Sequence, residues 1–323
     1  MHDITIIGAG VAGLFAAYDL SLRGLTLRIL DRNGPPAAHG CSWWAGGMLA
    51  PYCEGVTADP LITRLGAESA DAWAQVTQVT RRGTLVIALD RDRAELLRFA
   101  RRAGPHDPLD ASALTALEPD LATHRQGLFF PSEAHLNPRR ALADLVAALQ
   151  ARDIHIEQAT AEPDDITGPV IDARGMASPL PDLRGVRGEM AVLHAPDITL
   201  SRPVRLLHPR HPLYIVPRGN GIFMLGATQI ESGARHPITA RAMLELLSAA
   251  YALDTRFAES RVLETGADLR PAFPDNIPRV TVRGRVLRLN GLFRHGYLMA
   301  PALARQAADY LTHQTRGELI HED

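Results

Sequence analysis

Gly8, Gly10 and Gly13 stand at G-x-G-x-x-G spacing inside ITIIGAGVAGLFAAYDL, and Asp31 closes the run LTLRILD that follows. Residues of these types at this spacing hold a pyrophosphate and a ribose. Gly8 lets the chain turn sharply, Gly10 lets the backbone approach the pyrophosphate, and Gly13 lets the next helix pack close to its strand. Val11 and Ala12 open that helix, whose N-terminal amides face the phosphates. Asp31, with Arg32 beside it, falls where a carboxylate can accept both ribose hydroxyls. Loop glycines match the bare motif by chance, but a strand before, a helix after and an acid at the expected distance point to FAD or NAD.

The elements around this motif can be read from periodicity and punctuation. After the first βαβ unit comes HGCSWWAGGMLAPYCEG, from His39 to Gly55, where small residues, two adjacent tryptophans and a methionine describe a backbone threading past something flat. DPLITRLGAESADAWAQV predicts a helix with Leu61, Leu65, Ser69 and Trp73 on one face, RGTLVIALD a strand and DRAELLRFARRAG a helix. LNPRRALADLVAALQARD gives a helix after its proline, and HIEQATA and PVIDARG give strands. The last of these ends in Asp172, Ala173, Arg174 and Gly175, as a dinucleotide domain does when the chain returns to the central sheet. Residues 187–225 read as antiparallel strands, TARAMLELLSAAYAL as an amphipathic helix, and VLRLNGLFRHGYLMAP leads into a terminal helix. The expected fold is α/β: a Rossmann-like FAD-binding domain from 1–80, 135–185 and 266–323, plus an α+β substrate domain with a largely antiparallel sheet from 81–134 and 186–265. An NAD dehydrogenase more often carries one continuous doubly wound domain, so the discontinuity favours FAD.

Composition sets outer limits. The chain has 323 residues, of which 46% are apolar and 22% charged, an ordinary balance for a soluble protein with a sizeable core. A formal charge of −2 argues against a nucleic-acid partner, which would need a basic face. No apolar run reaches the roughly 18 residues of a membrane span. MHDITIIG enters the first strand at once without a leader pattern, which makes the cytoplasm the expected location. Cys41 and Cys53 are the only cysteines, too few for a disulfide framework or a four-cysteine zinc site. His208 and His211 are flanked by prolines and read as loop residues; no metal is expected.

Four segments carry a stronger signal. GCSWWAGGMLAP, LYIVPRGNGIFMLGAT, LRPAFPDNIP and GLFRHGYLMAP together resemble the D-amino acid oxidase superfamily of flavoproteins, and within it the glycine oxidases of thiamine biosynthesis, essentially from end to end. The resemblance implies a deaminating flavin oxidase: the Cα hydrogen of a small amino acid passes as hydride to flavin N5, and molecular oxygen reoxidises the flavin to give hydrogen peroxide. The imine either hydrolyses or is handed on for thiazole assembly, with the thiazole synthase as its acceptor. Such chemistry needs a fixed substrate carboxylate, a flavin shielded on one face, and positive polarity near its N1–C2=O edge.

Arg270, in ADLRPAFPDN, is then the candidate carboxylate clamp, because a guanidinium fork matches a carboxylate and the proline after it stiffens the backbone. Its alternative is an ion pair with Asp268 or Asp275. Arg294 is expected to help line the substrate pocket, in a loop of Leu292, Phe293, His295, Gly296, Tyr297 and Leu298 that lies along the flavin and enters a helix N-terminus. Its alternative is a capping loop with a solvent-facing arginine. Leu292 stands where the family commonly has histidine, and His295 where it often has asparagine. Tyr214 either places its hydroxyl beside the substrate carboxylate or is a buried strand tyrosine. Met48 either packs against the flavin, with Gly46 and Gly47 allowing close approach, or is plain core filling, and Cys41, Ser42 and Gly175 are candidates for further cofactor contacts. Trp43 and Trp44 fit a lid, an oligomer contact or the core equally.

Some relatives attach flavin through a cysteine in the C-terminal third; this chain has none there, so the FAD is expected to be non-covalent. The competing readings are a related FAD-dependent D-amino acid or sarcosine oxidase or dehydrogenase, and a non-catalytic FAD-binding partner protein, against which both arginines argue. The exposed second lobe is compatible with a homo-oligomer.

Overall fold

A computed structural model describes residues 2–208 and 212–322. His211 lies outside them. The run Ile4–Ile7 is buried along its whole length, as a strand covered on both faces must be. It lies at the interior of a seven-stranded sheet, parallel to Leu27–Asp31 on one side and Val170–Asp172 on the other. Ile156–Gln158 extends the sheet beyond Leu27–Asp31; Val286–Asn290, Arg279–Arg283 and Ile320–Glu322 extend it beyond Val170–Asp172. The sheet therefore gathers strands from the beginning, middle and end of the chain.

Helices Val11–Leu22, Pro138–Gln150 and Gly296–His313 bury their apolar faces in one core with this sheet. Trp73 sits in that core, edge-on to Phe15 at 4.8 Å, and its indole N–H donates to the Tyr297 carbonyl at 2.7 Å. The helix expected through Leu61 and Trp73 is two, Pro60–Gly66 and Ser69–Ala74. Gly66 packs against Leu298 with no room for a side chain, since a Cβ there would stand 2.7 Å from Leu298 Cγ. The periodicity was right about the buried face and silent about this break.

The second sheet has nine strands, in the order Ile230–Glu231, Arg184–His194, Ile222–Gly226, Leu213–Gly219, Val204–Leu207, Thr84–Ala88, Gln126–Phe130 and Asp107–Asp110, with Arg261–Ala272 also paired to Arg184–His194. It is largely antiparallel, but Val204–Leu207 runs parallel to Thr84–Ala88, because those two strands come from distant stretches rather than from one hairpin. Arg261–Ala272 is one continuous strand that crosses residue 266, and its ladder with Arg184–His194 carries it through. Helix Ala240–Leu253 packs on this sheet through Leu246, Ala249, Ala250 and Leu253.

Candidate active site

A cavity of about 650 Å³ is lined by residues from both sheets. At one end lies the glycine turn. Gly8 has φ +108°, and a Cβ there would stand 2.6 Å from the Ala173 carbonyl oxygen, so only glycine allows this turn. Gly10, Val11 and Ala12 line the cavity. Gly13 does not; a Cβ there would lie 2.0 Å from the Gly8 carbonyl oxygen, which makes it the residue of close helix-to-turn packing. The Val11 amide donates to Ser42 Oγ at 3.1 Å, tying the helix N-terminus to the loop that follows the first βαβ unit. Asp31 and Arg32 also line the cavity, and the Asp31 carboxylate accepts the Ala9 and Asn33 amides, each at 2.8 Å. Gly175 borders the same space with φ +59°, its carbonyl held by Asn290 Nδ2 at 2.9 Å.

Further along, the short 3₁₀ helix Cys41–Trp44 and the turn at Gly46 and Gly47 form one wall, with Met48 beside them. Gly47 has φ +68°, and a Cβ on Gly46 would stand 2.9 Å from the Tyr214 ring. Burial, with Asp268 next, pushes the Cys41 thiol up to about 12, so it stays protonated. Trp43 and Trp44 line the cavity half-buried, and the Arg139 guanidinium lies 4.7 and 5.2 Å from their ring centroids. Arg139 also grips Glu264 through two hydrogen bonds of 2.5 and 3.0 Å, and Trp44 covers Gly266.

Leu292, Phe293, Arg294, His295, Gly296, Tyr297 and Leu298 all reach the cavity. The Phe293 amide donates to the Pro271 carbonyl at 2.8 Å, and Tyr297 Oη donates to the Ser42 and Pro138 carbonyls at 3.0 and 3.2 Å. His295 caps the terminal helix without a side-chain hydrogen bond, so the first amides of that helix keep their donors. Two helix N-termini, at Val11 and Gly296, thus border one space.

Arg270 lies in the same cavity and donates to the Thr228 carbonyl at 3.2 Å. Asp268 pairs with Arg235 at 3.0 Å and Asp275 with Arg279 at 2.5 Å, so neither of the acids that could have claimed Arg270 does so. Tyr214 lines the cavity opposite Gly226 and Gly46, and burial raises its phenol above the usual value. Arg294 reaches the wall but is already engaged: Nε lies 2.7 Å from Glu54 Oε2, and Nη2 donates to Thr57.

Glu54 and Arg205 were not singled out by the sequence. Glu54 is 8% exposed and is held between Arg205, Arg294 and His295. Burial alone would raise its carboxyl, but the two arginines outweigh that and hold it well below the usual carboxylate range. Burial pushes His295 down to about 4, against the pull of Glu54. At neutral pH the cluster therefore has two guanidinium charges, one carboxylate and a neutral imidazole, net positive beside the cavity. Arg218 was also missed: it donates to the carbonyls of Leu136, Ala45 and Gly46 at 2.9, 3.3 and 2.9 Å and braces the glycine turn. Its visible signal was an arginine inside the otherwise apolar strand LYIVPR.

The pattern of the DAO family, FAD dependent oxidoreductase, matches residues 3–310. The chain belongs to this family. The FAD-dependent oxidoreductase is 51% identical over 322 residues to a protein of Rhizobium etli described as a thiamine biosynthesis oxidoreductase, ThiO, a match covering 98% of each chain. It is 25% identical to the bifunctional protein ThiO/ThiG of Trichormus variabilis, covering 99% of this chain and 54% of that one. Glycine oxidase from Geobacillus kaustophilus shares its fold, with a TM-score of 0.82 at 18% identity over 98% of this chain and 96% of that one. FAD is the cofactor of the family, and the resemblance and fold class read from the motifs are borne out. The Gly8 turn, the amides at the start of the helix Val11–Leu22 and the acceptor carboxylate of Asp31 together fit its dinucleotide. Among the described residues no helix is long and apolar enough to cross a membrane, and no group of His, Cys, Asp and Glu could hold a metal ion.

Proposed function

We propose that this FAD-dependent oxidoreductase oxidatively deaminates glycine or another small amino acid, for use in thiamine thiazole synthesis. The observation that carries the reading is Arg270: a guanidinium that pairs with no carboxylate among the described residues, in the cavity that also holds the dinucleotide cradle. A cation held only by a backbone carbonyl lacks a counter-ion until an anion arrives, and a substrate carboxylate supplies one with matching fork geometry. Tyr214 would add a hydroxyl to that carboxylate, and Met48 an apolar wall. Arg294, held by Glu54, would shape the site rather than grip the substrate directly.

Bound FAD supplies a hydride acceptor at N5 and, with oxygen, yields hydrogen peroxide. Gly8, Gly10, Val11, Ala12 and Asp31 would hold its dinucleotide without a covalent link, with Arg32, Cys41, Ser42 and Gly175 along its length. Gly46, Gly47 and residues 292–298 would enclose its ring, with the amides of the terminal helix favouring negative charge. The stretches 1–80, 135–185 and 266–323 would serve the cofactor, and 81–134 and 186–265 the substrate, with the continuous strand Arg261–Ala272 carrying Arg270 from one to the other. The ThiO/ThiG protein, in which a relative of this chain is joined to a second part, supports a thiazole synthase as acceptor of the imine. The cytoplasm is the proposed location.

Anaerobic titration of the bound flavin with glycine, sarcosine and D-alanine, followed by a peroxide assay in air, tests the reading. Bleaching by glycine with peroxide on aeration is expected. Bleaching without peroxide would turn the reading to a dehydrogenase, and a flavin that no small amine bleaches would remove amine oxidation altogether. Glycine and D-alanine differ by a methyl group, worth about 1–3 kcal/mol in a fitted pocket, so their relative kcat/KM measures its size.

A further inference from the structure

On the strand Arg184–His194 side chains alternate between two faces. Gly188 and Met190 line the cavity; Arg187 and Glu189 point the other way, and their side chains are 2% and 0% exposed. Arg187 donates to Glu189 Oε1 through Nε at 3.1 Å and Nη2 at 2.8 Å. Nothing in the proposed chemistry uses this pair. A buried ion pair is often no more stabilising than apolar residues of the same volume, so its value lies in what it holds in register.

What it holds is the segment from Thr228 to Thr239. Arg187 donates to the Ala234 and Pro237 carbonyls at 3.0 and 2.9 Å, and Glu189 Oε1 accepts the Thr239 amide at 3.1 Å. Thr228 is fixed three times over. Its hydroxyl donates to Glu189 Oε2 at 3.2 Å and accepts the Glu189 amide at 3.0 Å, while its own amide donates to the Glu189 carbonyl at 3.2 Å. The carbonyl left over on Thr228 accepts Arg270 Nη1 at 3.2 Å. A continuous chain of hydrogen bonds thus runs from the far face of the sheet to the guanidinium in the cavity.

We infer that Thr228 and the Arg187–Glu189 pair are positioning residues that aim Arg270 at the substrate's carboxylate. The inference rests on the carboxylate role proposed for Arg270. With the Thr228 hydroxyl gone, its carbonyl is held by fewer bonds and the guanidinium samples orientations in which its fork no longer meets a carboxylate. Binding of any small carboxylate then weakens, while grip on the cofactor and the rate at saturation do not change.

The test uses FAD-loaded Thr228→Val and Thr228→Ser, with Arg270→Ala as reference. Acetate affinity is read from perturbation of the flavin spectrum, beside KM, kcat, flavin content and Tm. Thr228→Val removes both hydroxyl bonds to Glu189 and is expected to weaken acetate and raise KM for glycine about tenfold, with kcat and flavin content kept. Thr228→Ser keeps the hydroxyl and is expected to behave as wild type. Thr228→Ala replaces the valine variant if that one does not fold. Unchanged acetate affinity in a folded Thr228 variant, with Arg270→Ala impaired, overturns the positioning role alone. Unchanged affinity in Arg270→Ala overturns the carboxylate reading itself, and the positioning role with it.

Discussion

Gly188 lies directly under the Arg270 guanidinium: a Cβ at residue 188 would stand 2.2 Å from Arg270 Nη2. The cation occupies space that any other residue on that strand would fill. Removing either side of this relationship is expected to cost substrate affinity. Arg270→Ala should raise KM for amino acids by about 100-fold, the scale of two charge-assisted hydrogen bonds, and leave amines without a carboxylate little affected. Gly188→Ala should displace the guanidinium and raise KM about tenfold with the flavin still bound. Steady-state kinetics on glycine beside a carboxylate-free amine checks both.

The dinucleotide end makes a separate expectation. Gly8 combines a positive φ with backbone 2.6 Å from any Cβ, so Gly8→Ala meets both strain and collision. Its apoprotein is expected to lose FAD affinity by far more than that of Asp31→Asn, which keeps the side chain's shape and gives up a charge. For the latter a drop of about tenfold fits the loss of one charged hydrogen bond. Fluorescence titration of FAD into each apoprotein gives the order; an Asp31→Asn loss larger than that of Gly8→Ala would contradict it.

How far these features were legible follows from where their causes lie. Gly8, Gly10, Gly13 and Asp31 were readable because a βαβ unit fixes their geometry within about 30 residues. Arg270 was readable only through its neighbours Leu269 and Pro271 in a motif, since its freedom from Asp268 depends on that acid being taken by Arg235, 33 residues away. Glu54 carried no local signal: its partners Arg205 and Arg294 are 151 and 240 positions distant, brought in by strand pairing and by the terminal loop. Arg187 and Glu189 did have one, opposite charges at i and i+2 inside a strand, which period-two alternation places on the same face. The break at Gly66 was hidden because its reason, contact with Leu298, lies at the other end of the chain.

The Glu54 cluster contributes to the acid stability of the fold. The folded Glu54 carboxyl is held below its usual value of 4.5, so its contribution is complete above that pH and is lost as pH falls further. His295 is pushed from 6.5 to about 4, so it contributes above 6.5 and the contribution is lost between 6.5 and 4. Both signs agree: Tm should fall on acidification, with His295 acting before Glu54, over the window that buried His135 shares. Glu54→Gln leaves two arginines without their carboxylate and is expected to lower stability at pH 7 by roughly 3–5 kcal/mol, with a flatter Tm profile below pH 4.5. His295→Asn should flatten the profile between 6.5 and 4 instead. Thermal melts across pH 3–8 separate the two; a Glu54→Gln profile as steep as wild type in acid would exclude the cluster as its source.

Arg218 braces the turn that faces the proposed flavin ring. Its three acceptors are backbone carbonyls from two segments, Ala45 and Gly46 on one and Leu136 on the other, and burial pushes its guanidinium down to about 10. Leu136 and Gly47 are also joined directly, by the Leu136 amide donating to the Gly47 carbonyl at 2.9 Å. Arg218→Met retains apolar bulk and removes every donor, leaving three carbonyls to find other partners. Each buried carbonyl left unpaired costs about 1–3 kcal/mol, so even partial hydration of the turn should weaken FAD about tenfold or more. A lysine is shorter and carries its donors on one nitrogen, so Arg218→Lys should recover part of the loss by reaching one segment but not both. Equilibrium dialysis of FAD against the two apoproteins, beside their Tm values, decides the matter. FAD affinity equal to wild type in a folded Arg218→Met protein would show that the turn keeps its shape without the brace.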